Sequence, residues 1–250
     1  MPYIDGFIAA VQRDRRTAYE GFAQRSWTLF NRYGALRQVE TWGDRVPDGK
    51  LTDFRRAVAA VEDEEVVFSW LEWPDKATRD AGFAGMEQEG AQLGEMPFDG
   101  QRMIFGGFVP LLDLGEARAA PGYVDGFVLA VPSSNRDAFI AHATEGDGVF
   151  MDAGATRVVE AWGDDVPAGK RTDFARSVLA EGNETVCFSW IEWPDKATRD
   201  AAHAQMHEAM SDPAKMDPRM DPEKNPMPFD GQRMIWGGFV PMFDSKGAVW

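Results

Sequence analysis

Carboxylates stand two residues from tryptophans at four places in the chain, a spacing that can tune acid–base chemistry. The pairs are Glu40 with Trp42, Trp70 with Glu72, Glu160 with Trp162, and Trp190 with Glu192. Aromatic burial removes water from a carboxyl and raises its pKa towards neutrality, where it can act as a general acid or base in a ligand pocket. The acids can equally be structural, either paired with an arginine such as Arg102 or Arg233 or placed at a strand end in water.

These pairs recur because the chain is an internal duplication. The segment FSWLEWPDKATRD from Phe68 returns as FSWIEWPDKATRD from Phe188, at an offset of 120 residues. The segment MPFDGQRMI from Met96 returns from Met227 at an offset of 131, so the second copy holds eleven additional residues within 211–226. Repeats of this length indicate two copies of one structural unit. We predict a first repeat over 1–112, a linker over 113–122 and a second repeat over 123–250.

Each copy has the pattern of a β-α-β-β-α-β unit. In the first copy, apolar alternation predicts four strands, over 3–11, 35–42, 65–73 and 101–110. Three- and four-residue apolar spacing predicts a helix over 14–33, and Asp75 can cap a second helix that starts at Lys76. This order is the α+β ferredoxin-like fold, whose antiparallel sheet carries helices on one face. The bare face needs a partner, so we predict that the two sheets pair face to face as an intrachain α+β barrel.

Alternation along the third strand divides its side chains between the two faces of the sheet. We assign Val67, Ser69 and Leu71 to the helix side and Phe68, Trp70 and Glu72 to the partner sheet. The same alternation assigns residues of the first two strands to the interior, namely Asp5, Phe7, Glu40 and Trp42. The matching interior residues of the second copy are Asp125, Phe127, Glu160, Trp162, Phe188, Trp190 and Glu192. The predicted interior is aromatic and acidic. The ligand-binding candidates are Asp5, Glu40, Trp42, Trp70, Glu72 and Arg102, with Asp125, Glu160, Trp162, Trp190, Glu192 and Arg233.

Composition limits the classes of partner. The formal net charge of −15 repels phosphate backbones, which disfavours nucleic-acid binding. We expect no membrane span, since no apolar run reaches the roughly 18 residues that a span needs. The single cysteine, Cys187, leaves no intrachain disulfide and favours a cytoplasmic setting. His203 and His207 have the spacing of metal ligands but no evident third ligand, so we predict no metal and no cofactor.

Long signatures in both copies resemble one bacterial protein family. The segments YIDGF, VVFSWLEWPDKATRDAG and NPMPFDGQRMIWGGF are similar to those of the YbaA-like family, a family of unknown function. The resemblance implies the dimeric α+β barrel superfamily, whose members include cofactor-independent oxygenases, heme-degrading and chlorite-dismutase-like enzymes, isomerases and stress proteins. It supplies no activity for this chain. Family members carry a segment like 217–227, which the first copy lacks.

Two classes of function follow, and the sequence leaves catalysis open. In the first, the protein binds a small molecule in the barrel interior, and the cofactor-independent oxygenases and isomerases are the enzymatic form of this hypothesis. In the second, the protein is a structural or stress protein whose interior is packed. An interior cavity with convergent acids or arginines would favour the first class. The proline-rich insertion 211–226 is predicted to be extended, either as a surface loop or as a lid beside the second-copy strands.

Overall fold

The computed structural model describes residues 2–86, 93–117, 120–212 and 215–247. The first repeat contains strands β1 (Tyr3–Gln12), β2 (Arg37–Arg45), β3 (Glu64–Trp73) and β4 (Ile104–Gly115), with helices α1 (Arg16–Arg32), α2 (Phe54–Ala57) and α3 (Lys76–Met86). The predicted β-α-β-β-α-β order is confirmed, with the short α2 added in the loop after β2. The Asp75 carboxylate accepts a hydrogen bond from the Thr78 backbone N–H at 2.7 Å, which fixes the start of α3 as predicted.

The second repeat has the same elements in the same order. Its strands are β5 (Tyr123–Pro132), β6 (Arg157–Asp165), β7 (Glu184–Trp193) and β8 (Ile235–Asp244), and its helices are α4 (Arg136–Asp152), α5 (Phe174–Ser177) and α6 (Lys196–Met210). The insertion lies between α6 and β8 and contains a 3₁₀ turn over Pro218–Met220. Within the described ranges, no helix combines the length and the apolar character that crossing a membrane would require.

The eight strands close into one antiparallel ring, in the order β1-β3-β2-β8-β5-β7-β6-β4. Within each repeat the sheet order is that of a ferredoxin-like unit, and β4 and β8 each pair with a strand of the other repeat. The predicted intrachain barrel is therefore confirmed, and hydrogen bonds also join the two sheets at their edges. β4 passes the predicted stop at Pro110 and enters the predicted linker, because a bulge between Pro110 and Leu112 accommodates the proline.

The barrel interior is a continuous aromatic core shared by the two repeats. Phe68 stacks on Phe188 with ring centroids 4.5 Å apart, and Trp70 stacks on Trp190 at 4.6 Å. All four side chains are 0% exposed. Gly6 lies against this core, and a Cβ there would sit 2.9 Å from the Phe188 ring, so the close approach requires glycine. The predicted orientation of β3 is confirmed by these contacts.

The predicted orientation of β1 and β2 is wrong. Gly6 and Val39 both lie directly opposite Trp70 in the ladders, and opposite residues of antiparallel strands share a face. Ile4, Ile8 and Val39 therefore fill the interior. Eight side chains that we predicted for the interior lie on the helix side instead. They are Asp5, Phe7, Glu40 and Trp42, with Asp125, Phe127, Glu160 and Trp162 in the second repeat.

Candidate functional site

The interior carboxylates Glu72 and Glu192 are neutralised within the barrel. Arg37 Nη1 lies 2.9 Å from Glu192 Oε1, and Arg157 Nη1 lies 2.7 Å from Glu72 Oε1. Burial alone would raise the pKa of Glu72, but the charges of Arg157 and Arg37 and the hydrogen bonds from Arg157 and Trp70 together outweigh it and lower that pKa. The structural alternative, in which an acid is paired with an arginine, therefore applies to Glu72 and Glu192, and the partners are Arg37 and Arg157. The indole Nε1 of Trp190 donates to Glu192 at 3.1 Å and extends the network.

The two arginines that we predicted as partners lie elsewhere. Arg102 binds Glu64 at 2.7 Å, and Arg233 binds the equivalent Glu184 at 2.6 Å. Neither arginine joins Glu72 or Glu192 in the contacts of the described chain. Sequence reasoning missed Arg37 and Arg157, although each lies directly opposite an interior glutamate in its ladder.

On the helix side of the sheet, Asp5 and Asp125 each form an ion pair with an arginine, at equivalent positions of the two repeats. Asp5 accepts from Arg79 at 2.9 Å, and Asp125 accepts from Arg199 at 2.6 Å. Burial raises the pKa of Asp5 to about 6 against the opposing effect of Arg79. His203 Nε2 lies 3.2 Å from Asp125, and the described residues contain no group of three or more candidate metal ligands. These contacts connect helices to the sheet.

Two equivalent pockets lie between the sheet and the helices, one in each repeat. The pocket of the second repeat, here called the repeat-two pocket, has a volume of about 350 Å³, and the repeat-one pocket about 220 Å³. Aromatic and methionine side chains form much of the repeat-two wall, namely Phe127, Phe139, Phe150, Met220, Met227 and Phe229. Glu160 borders this pocket, and Glu40 borders its counterpart. Of the predicted ligand-binding candidates, Glu160 and Trp190 border the repeat-two pocket and Glu40 borders the repeat-one pocket. Both pockets lie on the helix side of the sheet and not in the barrel interior, where the ligand was expected.

In the repeat-one pocket, Glu40 is fully engaged by neighbouring donors. The Tyr19 hydroxyl donates to Glu40 at 2.7 Å and the Gln38 amide at 2.6 Å. The Ser69 hydroxyl also donates to the same carboxylate. Burial raises the pKa of Glu40, and these three hydrogen bonds oppose that rise. This carboxylate is a structural acceptor between α1 and the sheet.

In the repeat-two pocket, Glu160 has lost two of these donors. Phe139 stands where repeat one has Tyr19, and Val158 where it has Gln38. Among the described residues, the Ser189 hydroxyl is the side chain that donates to Glu160. Burial raises the pKa of Glu160 to about 7, which the Ser189 hydrogen bond opposes. Glu160 can therefore exchange a proton near neutral pH.

A second buried carboxyl, Asp147 on α4, faces the same pocket. Asp147 is 8% exposed, and within the described part of the chain its Oδ2 has no hydrogen-bond partner. Burial raises its pKa well above the ordinary value, and the nearby charge of Glu160 adds to the effect. Repeat one has Trp27 at this position. Sequence reasoning missed Asp147, but a residue-by-residue comparison of the copies would have found an acid in place of a core aromatic.

The insertion forms the outer side of the repeat-two pocket. Arg219, Met220, Pro222 and Asn225 all border it. The Asn225 side chain lies 2.9 Å from His142 Nδ1, which fastens the insertion to α4. Part of the insertion therefore borders the pocket, whereas Pro213 falls outside the described residues.

Comparison with known proteins agrees with this architecture. The family described as "Protein of unknown function (DUF1428)" matches residues 2–100 and 122–231. Uncharacterized protein YbaA of Escherichia coli (strain K12) is 53% identical over 116 residues, which cover 45% of this chain and 99% of YbaA. YbaA of Shigella flexneri matches with the same values.

Solved structures share the fold at low sequence identity. A presumed monooxygenase from Lactobacillus acidophilus NCFM aligns with a TM-score of 0.57 and 10% identity, covering 98% of this chain and 96% of its own. An anthrone oxidase-like protein aligns with a TM-score of 0.56 and 11% identity, covering 97% and 92%. At such identities the likeness concerns the fold alone. The two matched segments and the YbaA identity show that the chain belongs to the DUF1428 family, as a tandem duplication of the family's domain.

Proposed function

We propose that the protein binds a small, largely apolar organic molecule in the repeat-two pocket. One observation carries this proposal. The pocket of about 350 Å³ has an apolar wall, and it is bordered by Asp147, whose buried Oδ2 has no partner among the described residues. A buried acceptor without a hydrogen bond costs roughly 1–3 kcal/mol, which a ligand donor would recover. An apolar cavity with a few convergent polar groups is the usual form of a small-molecule site.

The difference between the repeats supports this location. In repeat one, Tyr19 and Gln38 satisfy Glu40, and the pocket is smaller. In repeat two, the equivalent donors are absent and the pocket is larger, although the strands and helices follow in the same order. The second copy has thus exchanged hydrogen bonds to its glutamate for free volume and for one buried carboxyl oxygen, Asp147 Oδ2, that has no partner among the described residues. These are the features that ligand binding needs.

A thermal-shift screen of small apolar molecules tests the proposal. A ligand present at 100 times its dissociation constant stabilises the folded state by about 2.7 kcal/mol. We expect such ligands to raise the melting temperature of the wild-type protein but not that of Asp147→Trp, which places the repeat-one residue in the pocket. Asp137→Trp alters an exposed acid of the same helix and should respond like the wild type. Equal stabilisation of Asp147→Trp would place the binding site elsewhere.

Cofactor-independent proton transfer is a second candidate function. The observation that favours it is the pKa of Glu160, which burial raises to about 7 and which suits a general base at neutral pH. The Glu160 carboxylate would take a C–H proton next to a ligand carbonyl and return it at another carbon, as an isomerase does. Ligands from the screen would be incubated in D₂O and their deuterium content measured. Loss of deuterium incorporation in Glu160→Gln is expected, and incorporation that survives this change would exclude the role.

A further inference from the structure

We infer that the ligand of the repeat-two pocket is an organic cation, a protonated amine on an apolar body, an inference that rests on the binding function proposed above. The ligand class follows from the negative charge of the pocket wall. Glu160 and Asp147 both border the cavity. A ligand ammonium can donate hydrogen bonds to Asp147 Oδ2 and to the carboxylate lone pairs of Glu160 that Ser189 does not occupy.

The basic side chains that border the pocket are committed to other partners. Arg219 Nη2 lies 2.8 Å from Asp152 and 2.8 Å from Asp217. His142 is hydrogen-bonded to Asn225. In the described part of the chain, no basic side chain forms an ion pair with Glu160 or Asp147, in contrast to the arginine-paired Glu72 and Glu192. The carboxyl pair therefore has no counterion among the described residues, and a cationic ligand would supply one.

The apolar wall of the pocket also suits a cation. Phe127, Phe139, Phe150 and Phe229 border it together with methionine side chains. The faces of aromatic rings carry negative charge density and attract an ammonium group, while the hydrocarbon part of the ligand is buried against the same rings. A carboxylate or phosphate ligand would instead add a further negative charge beside two acids in a poorly hydrated site.

The electrostatics of the two carboxyls indicate a single ligand charge. Burial raises the pKa of both groups, and the charge of Glu160 raises that of Asp147 further. Two close buried carboxyls do not ionise together easily, because the charge on one opposes the ionisation of the other. A single negative charge on the pair matches one ammonium. The protonated carboxyl can still accept a hydrogen bond through its other oxygen.

The test compares ligands of equal shape and different charge. Phenylalkylamines from benzylamine to 4-phenylbutylamine would be titrated by calorimetry beside the corresponding alcohols and chain-matched carboxylates. Hydrogen bonds to charged groups contribute about 1.5–3 kcal/mol, so we expect an ammonium to bind about 10- to 100-fold more tightly than its alcohol. The carboxylates should bind most weakly. Alcohols that bind as tightly as amines would overturn the inference and leave the proposed function standing, whereas the absence of any binding in all three series would count against both.

Matched variants locate the charge that the ligand recognises. The double variant Asp147→Asn/Glu160→Gln should reduce the preference for the amine over the alcohol about tenfold or more, because either acid left alone can still carry the single negative charge. Asp137→Asn removes an exposed acid of α4 and should retain the wild-type preference. Melting curves of both variants establish that each is folded. An unchanged preference in the double variant would overturn the inference, because the charge would then be recognised elsewhere.

Discussion

Glu40 and Glu160 occupy equivalent positions on β2 and β6, yet the donors around them differ. Three side chains donate to Glu40, whereas Ser189 donates to Glu160. Burial raises the pKa of both carboxyls, but hydrogen bonds to the ionised form oppose this more strongly in repeat one. Two neighbouring substitutions, Phe139 for Tyr19 and Val158 for Gln38, therefore remove the donors that hold Glu40 as a structural acid.

The raised pKa of Glu160 predicts how stability changes with pH. Its folded pKa of about 7 lies above the ordinary 4.5, so the unfolded state releases the proton first as pH rises. Stability is therefore lost between about pH 4.5 and 7. We expect Glu160→Gln to be more stable than the wild type at pH 8, by up to roughly 3 kcal/mol, with the difference absent at pH 4. Urea titrations at the two pH values measure it.

Glu184 provides the control of opposite sign. The hydrogen bond from Arg233 lowers the pKa of Glu184, so its ionised form stabilises the fold and this stabilisation is lost as pH falls. Glu184→Gln should therefore destabilise the protein at pH 8 and less so in acid. If Glu160→Gln behaved in the same direction as Glu184→Gln, the unfavourable burial of Glu160 would be refuted.

Trp70 lies at the centre of the contact between the two repeats, so its loss should lower the stability of the fold. It is 0% exposed and stacks on Trp190 of the other repeat. We expect Trp70→Ala to lower the free energy of unfolding by about 3–5 kcal/mol, as for other large core aromatics. Leu51→Ala, at a half-exposed position, should change it by less than about 1 kcal/mol. A loss below about 1 kcal/mol in Trp70→Ala, measured by denaturant titration, would contradict the stacked interior.

The face of each residue was predictable only for β3. Alternation separates the side chains of a strand into two sets, but it does not say which set faces the helices. In β3 the large aromatic residues Phe68 and Trp70 decided the matter correctly. In β1 and β2 the decision needed the register, since Gly6 and Val39 lie opposite Trp70 and carry little signal of their own. Asp5 and Glu40 were misplaced for this reason.

The insertion is the element in which the two repeats differ most. Asp217 begins its 3₁₀ turn by accepting a hydrogen bond from the Arg219 backbone N–H at 2.9 Å. The Asn225 side chain then binds the Arg219 carbonyl oxygen at 2.7 Å and contacts His142 on α4. The prediction of an extended loop missed this turn, which a proline at its first position favours. These contacts hold the insertion against the pocket.

Deletion of residues 211–224 tests the insertion as a lid. Repeat one folds without this segment, and surface loops contribute little to stability, so the shortened protein should still fold cooperatively. We expect ligands found in the screen to bind at least about tenfold more weakly, because Arg219, Met220 and Pro222 leave the pocket wall. Calorimetry measures the affinity, and a glycine–serine segment of equal length separates loss of side chains from loss of length. Unchanged affinity in the deletion would refute the lid.

Most elements were predictable because their apolar period is strong. The helix from Lys76 and the strand over Glu64–Trp73 match the predicted positions closely. The helix Phe54–Ala57 was missed because four residues give no period. The extension of β4 was missed because Pro110 predicts a stop, whereas the bulge beside it lets the strand continue. Such irregularities depend on the neighbouring strand and have no local signature.

For the whole molecule, ring closure depends on strands that cross between the repeats. β4 pairs with β6 from Gly107 to Gly115, and β8 pairs with β2 from Gly238 to Asp244. Every strand of the ring therefore has two neighbours, and the aromatic faces cover each other. The bare apolar face predicted the face-to-face pairing of the repeats. The hydrogen bonds that close the ring depend on the extension of β4 beyond Pro110 and on the matching pairing of β8 with β2, which the sequence did not reveal.

The closed ring predicts that the full chain is a monomer and that a single repeat is not. With its sheet edges paired and Trp70 covered by Trp190, the chain has no exposed strand edge in the ring through which a copy would add. Residues 123–250 alone would expose Phe188, Trp190 and the edges of β6 and β8, which a second copy can cover in the same way. Light scattering at low concentration should therefore show one chain mass for the full protein and two for the isolated repeat. A full-length dimer that unfolds on dilution, or a stable monomeric repeat with a cooperative melt, would show that the two copies do not complete each other.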